Sequence, residues 1–197
     1  KCRFVSTGCL TKLFEIYYFE DTPIPSNIRD EFVALIERKA KDFDLIVVTD
    51  FGHGLLGDES IAALSKTGKF LCVNAQTNSA NHGYNLITKY PRADFICIDA
   101  PEAQLAARDR FDSIESLVAN KLPSLIDCER FIVTHGQAGC VGYDGTDHVV
   151  RIPAFTKTVV DTVGAGDAFF AIAAPLAAIG APIEAVAFAG NAAGGIE

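Results

Sequence analysis

The chain has no methionine and no tryptophan. A sequence of 197 residues that opens Lys1-Cys2-Arg3 and never uses methionine reads as a piece of a longer polypeptide. Six cysteines (Cys2, Cys9, Cys72, Cys97, Cys128, Cys140) form no Cys-x-x-Cys pair, which excludes the usual spacing of zinc and dithiol motifs. Cys72 and Cys97 sit in apolar, strand-like runs and read as buried free thiols. No basic run occurs: 17 Lys and Arg are scattered among 25 Asp and Glu, for a net charge of −8. That balance excludes nucleic acid and anionic membrane surfaces as partners. The uncharged, alanine-rich run over residues 168–183 is 16 residues long and is broken by Pro175, Gly180 and Pro182. It falls short of the ~20 residues a membrane helix needs. No signal peptide opens the chain. The reading that joins these absences is a cytoplasmic protein without membrane contact.

What is present is ordinary globular composition, 49% hydrophobic and 21% charged. This length suits one domain, which buries about 70% of the surface its unfolded chain exposes. Residues 2–6 and 10–19 read as extended. Ser26 is expected to cap a helix running to about Lys41, with Phe32, Leu35 and Ile36 on its inner face. Residues 44–49 form an apolar run of the kind buried on both faces of a parallel sheet. A helix over 58–66, a strand over 69–73, a strand over 95–98 and helices over 101–108 and 112–126 follow. Strands over 130–134, 140–143 and 148–152 precede helices over 167–179 and 183–194. This alternation predicts an α/β domain of three layers with a largely parallel central sheet. No internal repeat or linker interrupts it.

The stretch that organises the rest is Val160-Asp161-Thr162-Val163-Gly164-Ala165-Gly166-Asp167-Ala168-Phe169-Phe170. Gly164 and Gly166 permit backbone angles that turn successive N–H groups into one concavity. The helix that follows adds its unpaired first-turn amides and positive dipole end. Together with Ala165 these make an anion site that uses no lysine or arginine. Asp167, at its mouth, is placed to take a proton from a hydroxyl that attacks phosphorus. As a bare pattern, the same residues also describe a helix N-cap after a glycine turn.

Other segments carry comparable alternatives. Gly52-His53-Gly54-Leu55-Leu56-Gly57 matches Gly-x-Gly-x-x-Gly between a strand and a helix, the context of a dinucleotide site. Against that, Asp50 and Phe51 precede the first glycine, and the next strand ends in Asn74 rather than in an acid that would hold a ribose. Asp99-Ala100-Pro101-Glu102 follows a strand and, as it stands, is a helix N-cap with a first-turn acid. Thr134-His135-Gly136-Gln137-Ala138-Gly139 is a hairpin turn as it stands. The amide-rich loop with Asn74, Gln76, Asn78, Ser79, Asn81 and His82 lies at a strand's carboxyl end, where open α/β sheets place ligands, and is otherwise a solvated loop.

Asp161-Thr-x-Gly-Ala-Gly-Asp167 with the following Ala-Phe-Phe-Ala resembles the C-terminal motif of the PfkB, or ribokinase-like, carbohydrate kinases. Ile172 departs from the Ala or Gly usual there, a matter of helix packing. Asp50-Phe51-Gly52-His53-Gly54 resembles the Asp-Tyr-Gly-Lys-Gly segment of heptose 7-phosphate kinases within that family. Asp99-x-x-Glu102 resembles its Asn-x-x-Glu motif, with Asp99 in place of Asn, and Thr134-x-Gly136-x-x-Gly139 resembles its phosphate-contacting turn. The resemblance runs over residues 10–191. It implies a ribokinase-like fold and ATP-dependent phosphoryl transfer to a sugar or sugar-phosphate hydroxyl. In that scheme Asp167 is the general base, and the amides of Gly164, Ala165 and Gly166 stabilise the transferring phosphoryl group. Thr134, Gly136, Gly139 and Asn191 bind ATP, Glu102 and Asp99 serve Mg²⁺, and a monovalent cation lies near Asp161. Asp50, Gly52 and Asn74 are the candidate substrate residues. The resemblance further implies that residues 1–19 are the remnant of a β lid, that an N-terminal part and most of the lid lie outside this chain, and that two copies can pair through the lid. A single partial domain over 1–197, with little activity of its own, is the resulting expectation. The non-kinase alternative is an NAD(P)- or nucleotide-binding regulatory domain.

Overall fold

The structure, a computed structural model, describes residues 2–6, 12–18, 22–78, 81–146, 148–155 and 164–196. Strands β1 (Cys2–Val5) and β2 (Lys12–Ile16) form an antiparallel hairpin with Phe4 stacked on Phe14. The extended segment is thus shorter than residues 10–19 predict, within the described residues. Six further strands make one sheet in chain order: β3 (Leu45–Asp50), β4 (Phe70–Ala75), β5 (Phe95–Asp99), β6 (Phe131–Thr134), β7 (Cys140–Tyr143) and β8 (Val149–Ile152). The first four are parallel, and β7 and β8 turn back as antiparallel neighbours. The largely parallel sheet expected from the sequence is present.

Alternation along the strands divides the core. Leu71, Val73, Ile96, Ile98, Phe131 and Val133 face one layer, which is built from α2 (Asp58–Lys66), α3 (Ala100–Ala107) and the helical run over 114–125. Cys72, Phe95, Cys97 and Ile132 face the other layer, made by α6 (Ala165–Ala178) and α7 (Ile183–Ile196). The run over 114–125 starts from a Ser113 cap as α4 (Ile114–Ser116), passes through a π turn at Leu117–Lys121 and ends as α5 (Leu122–Leu125). The single helix predicted over 112–126 is therefore an interrupted one. Pro123 cannot donate to the turn before it, which suits a wider turn at that point.

Two expectations fail at the sheet's open edge. Helix α1 (Ser26–Lys39) is capped by the extended Pro25, and Ser26 is its first helical residue with no side-chain cap bond. Its predicted inner face is only partly covered, with Leu35 40% exposed. Strand β3 is the edge strand, so its apolar run is not buried on both faces: Val47 is 45% exposed. An apolar cavity of about 300 Å³ lies between α1 and the first half of β3, away from the strands' carboxyl ends.

The direction of α6 follows from Arg130, just before β6. Its Nη1 donates to Ala177 O at 2.8 Å and its Nη2 to Ala181 O, so the end of α6 lies at the amino end of the strands. The cation also meets the negative end of the helix dipole. The start of α6 consequently lies at the carboxyl ends. Helix α7 runs back alongside it: a Cβ on Gly190 would meet the Phe169 ring at 2.6 Å, and one on Gly194 would meet Ala165 O at 2.9 Å. Only hydrogen at those positions lets the helices approach so closely.

Candidate active site

Strands β3 to β6 end in Asp50, Ala75, Asp99 and Thr134, and the antiparallel return brings the end of β8 to the same edge. The start of α6 and the end of α7 arrive there from one layer, and the loops 51–57 and 76–85 from the sheet itself. By alternation Asn74 and Thr134 lie on the α6 side. The sequence-predicted residues thus come together on one edge, with Asp50 turned to the opposite side.

Gly164, with φ +97, is the N-cap of α6, and among the described residues no side chain caps the first turn. Gly164 O accepts the first helical bond, from Ala168 N at 2.8 Å. The amides ahead of Ala168 are the ones a helix leaves without a partner of its own. Gly166 and Asp167 are exposed, so the turn opens to solvent with a carboxylate beside it. Asp161, expected near a monovalent cation, lies outside the described residues, as do residues 156–163 as a whole.

Asp99 and Glu102 form a complete capping box at the start of α3: Glu102 N donates to Asp99 Oδ1 at 2.9 Å and Asp99 N to Glu102 Oε2 at 3.2 Å. Glu102 Oε1 also accepts Thr77 N at 3.0 Å, which docks the 76–85 loop on α3. Glu102 is 8% exposed, and burial, followed by the charge of Asp99, pushes its carboxyl up to about 7. Because the folded protein holds this proton more tightly than the unfolded chain, Glu102 favours folding fully at acid pH, and that contribution is lost as pH rises from about 4.5 to about 7. Urea midpoints measured from pH 4.5 to 8 are expected to show a decline worth up to about 3 kcal/mol that Glu102→Gln flattens. An identical slope in the variant would remove Glu102 as its source.

Among the described residues no group of three or more His, Cys, Asp or Glu could hold a metal ion. The Asp99–Glu102 pair is a donor set of a different kind. Each carboxylate spends lone pairs on backbone amides and keeps others, which suits a hard cation bound mainly by water and by a ligand's own phosphate oxygens.

The turn after β6 folds as a 3-10 segment, Gly136–Ala138, closed by His135 N on Gly139 O at 2.7 Å. Thr134 Oγ1 reaches Ile98 O at 3.4 Å, and Gly136 is exposed at the turn's tip. Gly139, at φ +87, lies against the chain leaving β8. Asn191 on α7 donates to Pro153 O at 2.6 Å, tying α7 to that same exit.

On the β3 side the structure uses the sequence's polar residues inwardly. Asp50, 3% exposed, accepts from Tyr90 Oη at 2.6 Å and from Gly52 N at 2.9 Å, and pairs with Lys89 Nζ at 2.5 Å. Burial, then Asp50, drives the Tyr90 hydroxyl far above the ordinary phenol range. Asn78 and Asn81 both donate to Phe51 O, and Asn85 donates to Asp50 O and Gln76 O, so the amide-rich loop is a knot against the end of β3. Asn74 donates to Cys97 O at 2.7 Å, while its Oδ1 is buried without a hydrogen-bond partner among the described residues. Tyr17 meets His53, which stacks on Phe51, so the hairpin lies beside the 51–57 loop. Sequence reasoning passed over Asn85, Lys89 and Tyr90. The available signal was Asp50 itself, because a carboxylate closing an apolar strand needs a cation and donors wherever it is buried.

A model of the pfkB family carbohydrate kinases matches residues 33–197. The bifunctional protein HldE of Citrifermentans bemidjiense is 28% identical over 160 residues, which cover 80% of this chain and 32% of that protein. The HldE of Nitrobacter winogradskyi is 27% identical over 202 residues, 100% of this chain and 40% of its own length. The chain therefore spans well under half the length of the curated relatives it matches. Among solved structures, tetrameric phosphofructokinase-2 from Escherichia coli superposes with a TM-score of 0.68 at 19% identity, over 84% of this chain and 56% of that one. At these identities the solved structures speak for the fold, which is ribokinase-like.

Proposed function

The chain belongs to the pfkB family of carbohydrate kinases, and from that premise we propose that it carries the catalytic part of an enzyme transferring the γ-phosphoryl group of ATP to a hydroxyl of a sugar or sugar phosphate. The observation that supports this reading is the uncapped glycine start of α6, with exposed Asp167 beside it, at the same sheet edge as Asp99, Glu102 and Thr134.

In this reading Asp167 accepts the proton of the attacking hydroxyl, and the amides of Gly164, Ala165 and Gly166 receive the negative charge that spreads over the transferring group. Fixed amides suit that task because they need no reorganisation as charge develops. The Thr134 hydroxyl and the turn through Gly136 and Gly139 hold the nucleotide phosphates, with Asn191 near the base. Glu102 and Asp99 would hold Mg²⁺, which would supply positive charge to the phosphate oxygens. Asn74, with its buried unpartnered oxygen, accepts from a substrate or bound-water hydroxyl, whereas Asp50 and Gly52 shape the wall behind it.

Heptose 7-phosphate is the favoured acceptor, on the likeness of Asp50-Phe51-Gly52-His53-Gly54 to the corresponding segment of heptose 7-phosphate kinases. The β1–β2 hairpin is the lid remnant in this scheme, and its exposed Phe4, Leu13 and Phe14 suit pairing with a second copy. No helix among the described residues is long and apolar enough to cross a membrane, and the buried thiols Cys72, Cys97, Cys128 and Cys140 suit a reducing cytoplasm.

The test is ADP release from ATP–Mg²⁺ over a panel of sugars and sugar phosphates, measured on the protein at its natural length. Release that requires one sugar establishes the kinase and its acceptor together. Nucleotide binding without sugar-dependent release of ADP favours the regulatory nucleotide-binding reading instead.

A further inference from the structure

Strand β3 ends in a carboxylate that solvent barely reaches, and the cation that neutralises it comes from another segment. Lys89 Nζ pairs with Asp50 Oδ2 at 2.5 Å, donates to Asn85 Oδ1 at 2.6 Å and to Leu56 O at 3.3 Å. An ammonium has three hydrogens, and all three are thereby used on three different segments: the end of β3, the 51–57 loop and the 76–85 loop. Asn85 is equally committed. Its Nδ2 donates to Asp50 O and to Gln76 O, both at 2.9 Å, while its Oδ1 receives Lys89.

The carbonyl of Gln76 and the N–H of Thr77 belong to one peptide unit. Asn85 holds the carbonyl, and Glu102 Oε1 takes the N–H at 3.0 Å. That single rigid plane is clamped from both ends, so it cannot rotate without breaking a bond to Asn85 or one to Glu102. Gly52 closes the assembly from below: a Cβ there would sit 2.2 Å from Asn81 Nδ2 and 2.7 Å from Asn85 Cγ. A fully matched polar network of this kind fixes one arrangement, because any alternative strands a buried donor or acceptor.

We propose that Lys89 is a positioning residue of the active site, which through Asn85 and the peptide joining Gln76 to Thr77 holds Glu102 in place at the carboxyl edge. Its effect on turnover rests on the kinase reading above; its effect on the 76–85 loop does not. Because Glu102 is also the residue assigned to Mg²⁺, loosening it is expected to raise the Mg²⁺ requirement as well as to lower turnover.

The experiment compares Lys89→Met, Lys89→Arg and the charge-balanced pair Lys89→Met with Asp50→Asn, again at natural length. Lys89→Met strands the Asp50 charge and is expected to lower stability, whereas the double variant removes that charge and is expected to recover most of the melting temperature. Positioning predicts that the double variant still loses about 10- to 100-fold in kcat, with a raised Mg²⁺ requirement. It also predicts amide exchange at least about tenfold faster over 76–85, with β5 and β6 as protected as in the parent. Lys89→Arg, which keeps a cation, is expected to recover part of the rate. A double variant with parental turnover and parental exchange would overturn the proposal, because charge balance alone would then be the whole role of Lys89. If the parent protein shows no sugar-dependent ADP release, the kinase reading fails, and exchange over 76–85 decides the clamp: faster supports it, unchanged overturns it.

Discussion

Asp167→Asn is expected to lower kcat by roughly 10²- to 10⁴-fold, the usual share of a positioned general base, and to leave the KM for ATP nearly unchanged. The asparagine keeps the size of the side chain and removes only its ability to accept a proton. Asp167 is exposed at the first turn of α6 and makes no ion pair among the described residues, so its replacement does not threaten the fold. An aspartate in a helix's first turn also favours the helix dipole, worth typically 0.3–1 kcal/mol at such a site, so a small loss of stability accompanies the variant. Initial rates with a saturating acceptor, alongside a thermal melt, check both parts. Near-parental kcat would remove Asp167 as the base, whatever the melt shows.

Gly139→Ala is expected to cost about 3 kcal/mol or more in stability, the second large effect. The residue sits at φ +87, where any side chain is strained, and its Cβ would lie 2.0 Å from Ile152 O and 2.7 Å from Ala154 N. Both neighbours are backbone at the end of β8, so relief requires moving a strand exit. Gly136, in the same turn, supplies the contrast. Its φ is +49 and a Cβ there meets nothing within 4 Å, so Gly136→Ala carries only the left-handed strain of about 1–2 kcal/mol. Denaturant midpoints of the two variants separate these roles. Equal losses would mean that the close approach at Gly139 relaxes more easily than its backbone neighbours suggest. The pattern Thr-x-Gly-x-x-Gly thus contains two glycines with different physical reasons, one to let the chain pass and one to shape an open turn.

The central strands were legible because they are buried on both faces. Phe70–Ala75, Phe95–Asp99 and Phe131–Thr134 read as apolar runs between turns and form strands within two residues of their predicted bounds. The edge was not legible. Residues 44–49 have the same composition as a central strand, and only the strand order shows that β3 has one neighbour among the described residues. Helix α1 forms close to its predicted bounds, but its inner face does not: Ile36 packs on the core while Leu35 stays exposed beside the edge strand. The π turn within 114–125 has no periodicity of its own to betray it.

The glycine start of α6, the capping box of Asp99 and Glu102, and the turn at Thr134–Gly139 are local features. Their residues lie within a few positions of one another, and backbone preferences and short-range hydrogen bonds suffice to specify them. For the same reason the sequence alone determined the class of fold and the family. What joins distant segments was decided only by the tertiary structure: that Arg130 holds the end of α6 at the amino end of the strands and so leaves its start at the carboxyl edge, that Asp50 turns away from that helix, and that the amides of the 76–85 loop point inward to Lys89 and the end of β3. Asn and Asp are polar wherever they stand, and a sequence does not say whether their partners are water, ligand or chain. Burial decides it, because a polar group removed from water must find its hydrogen bonds in whatever the fold brings beside it.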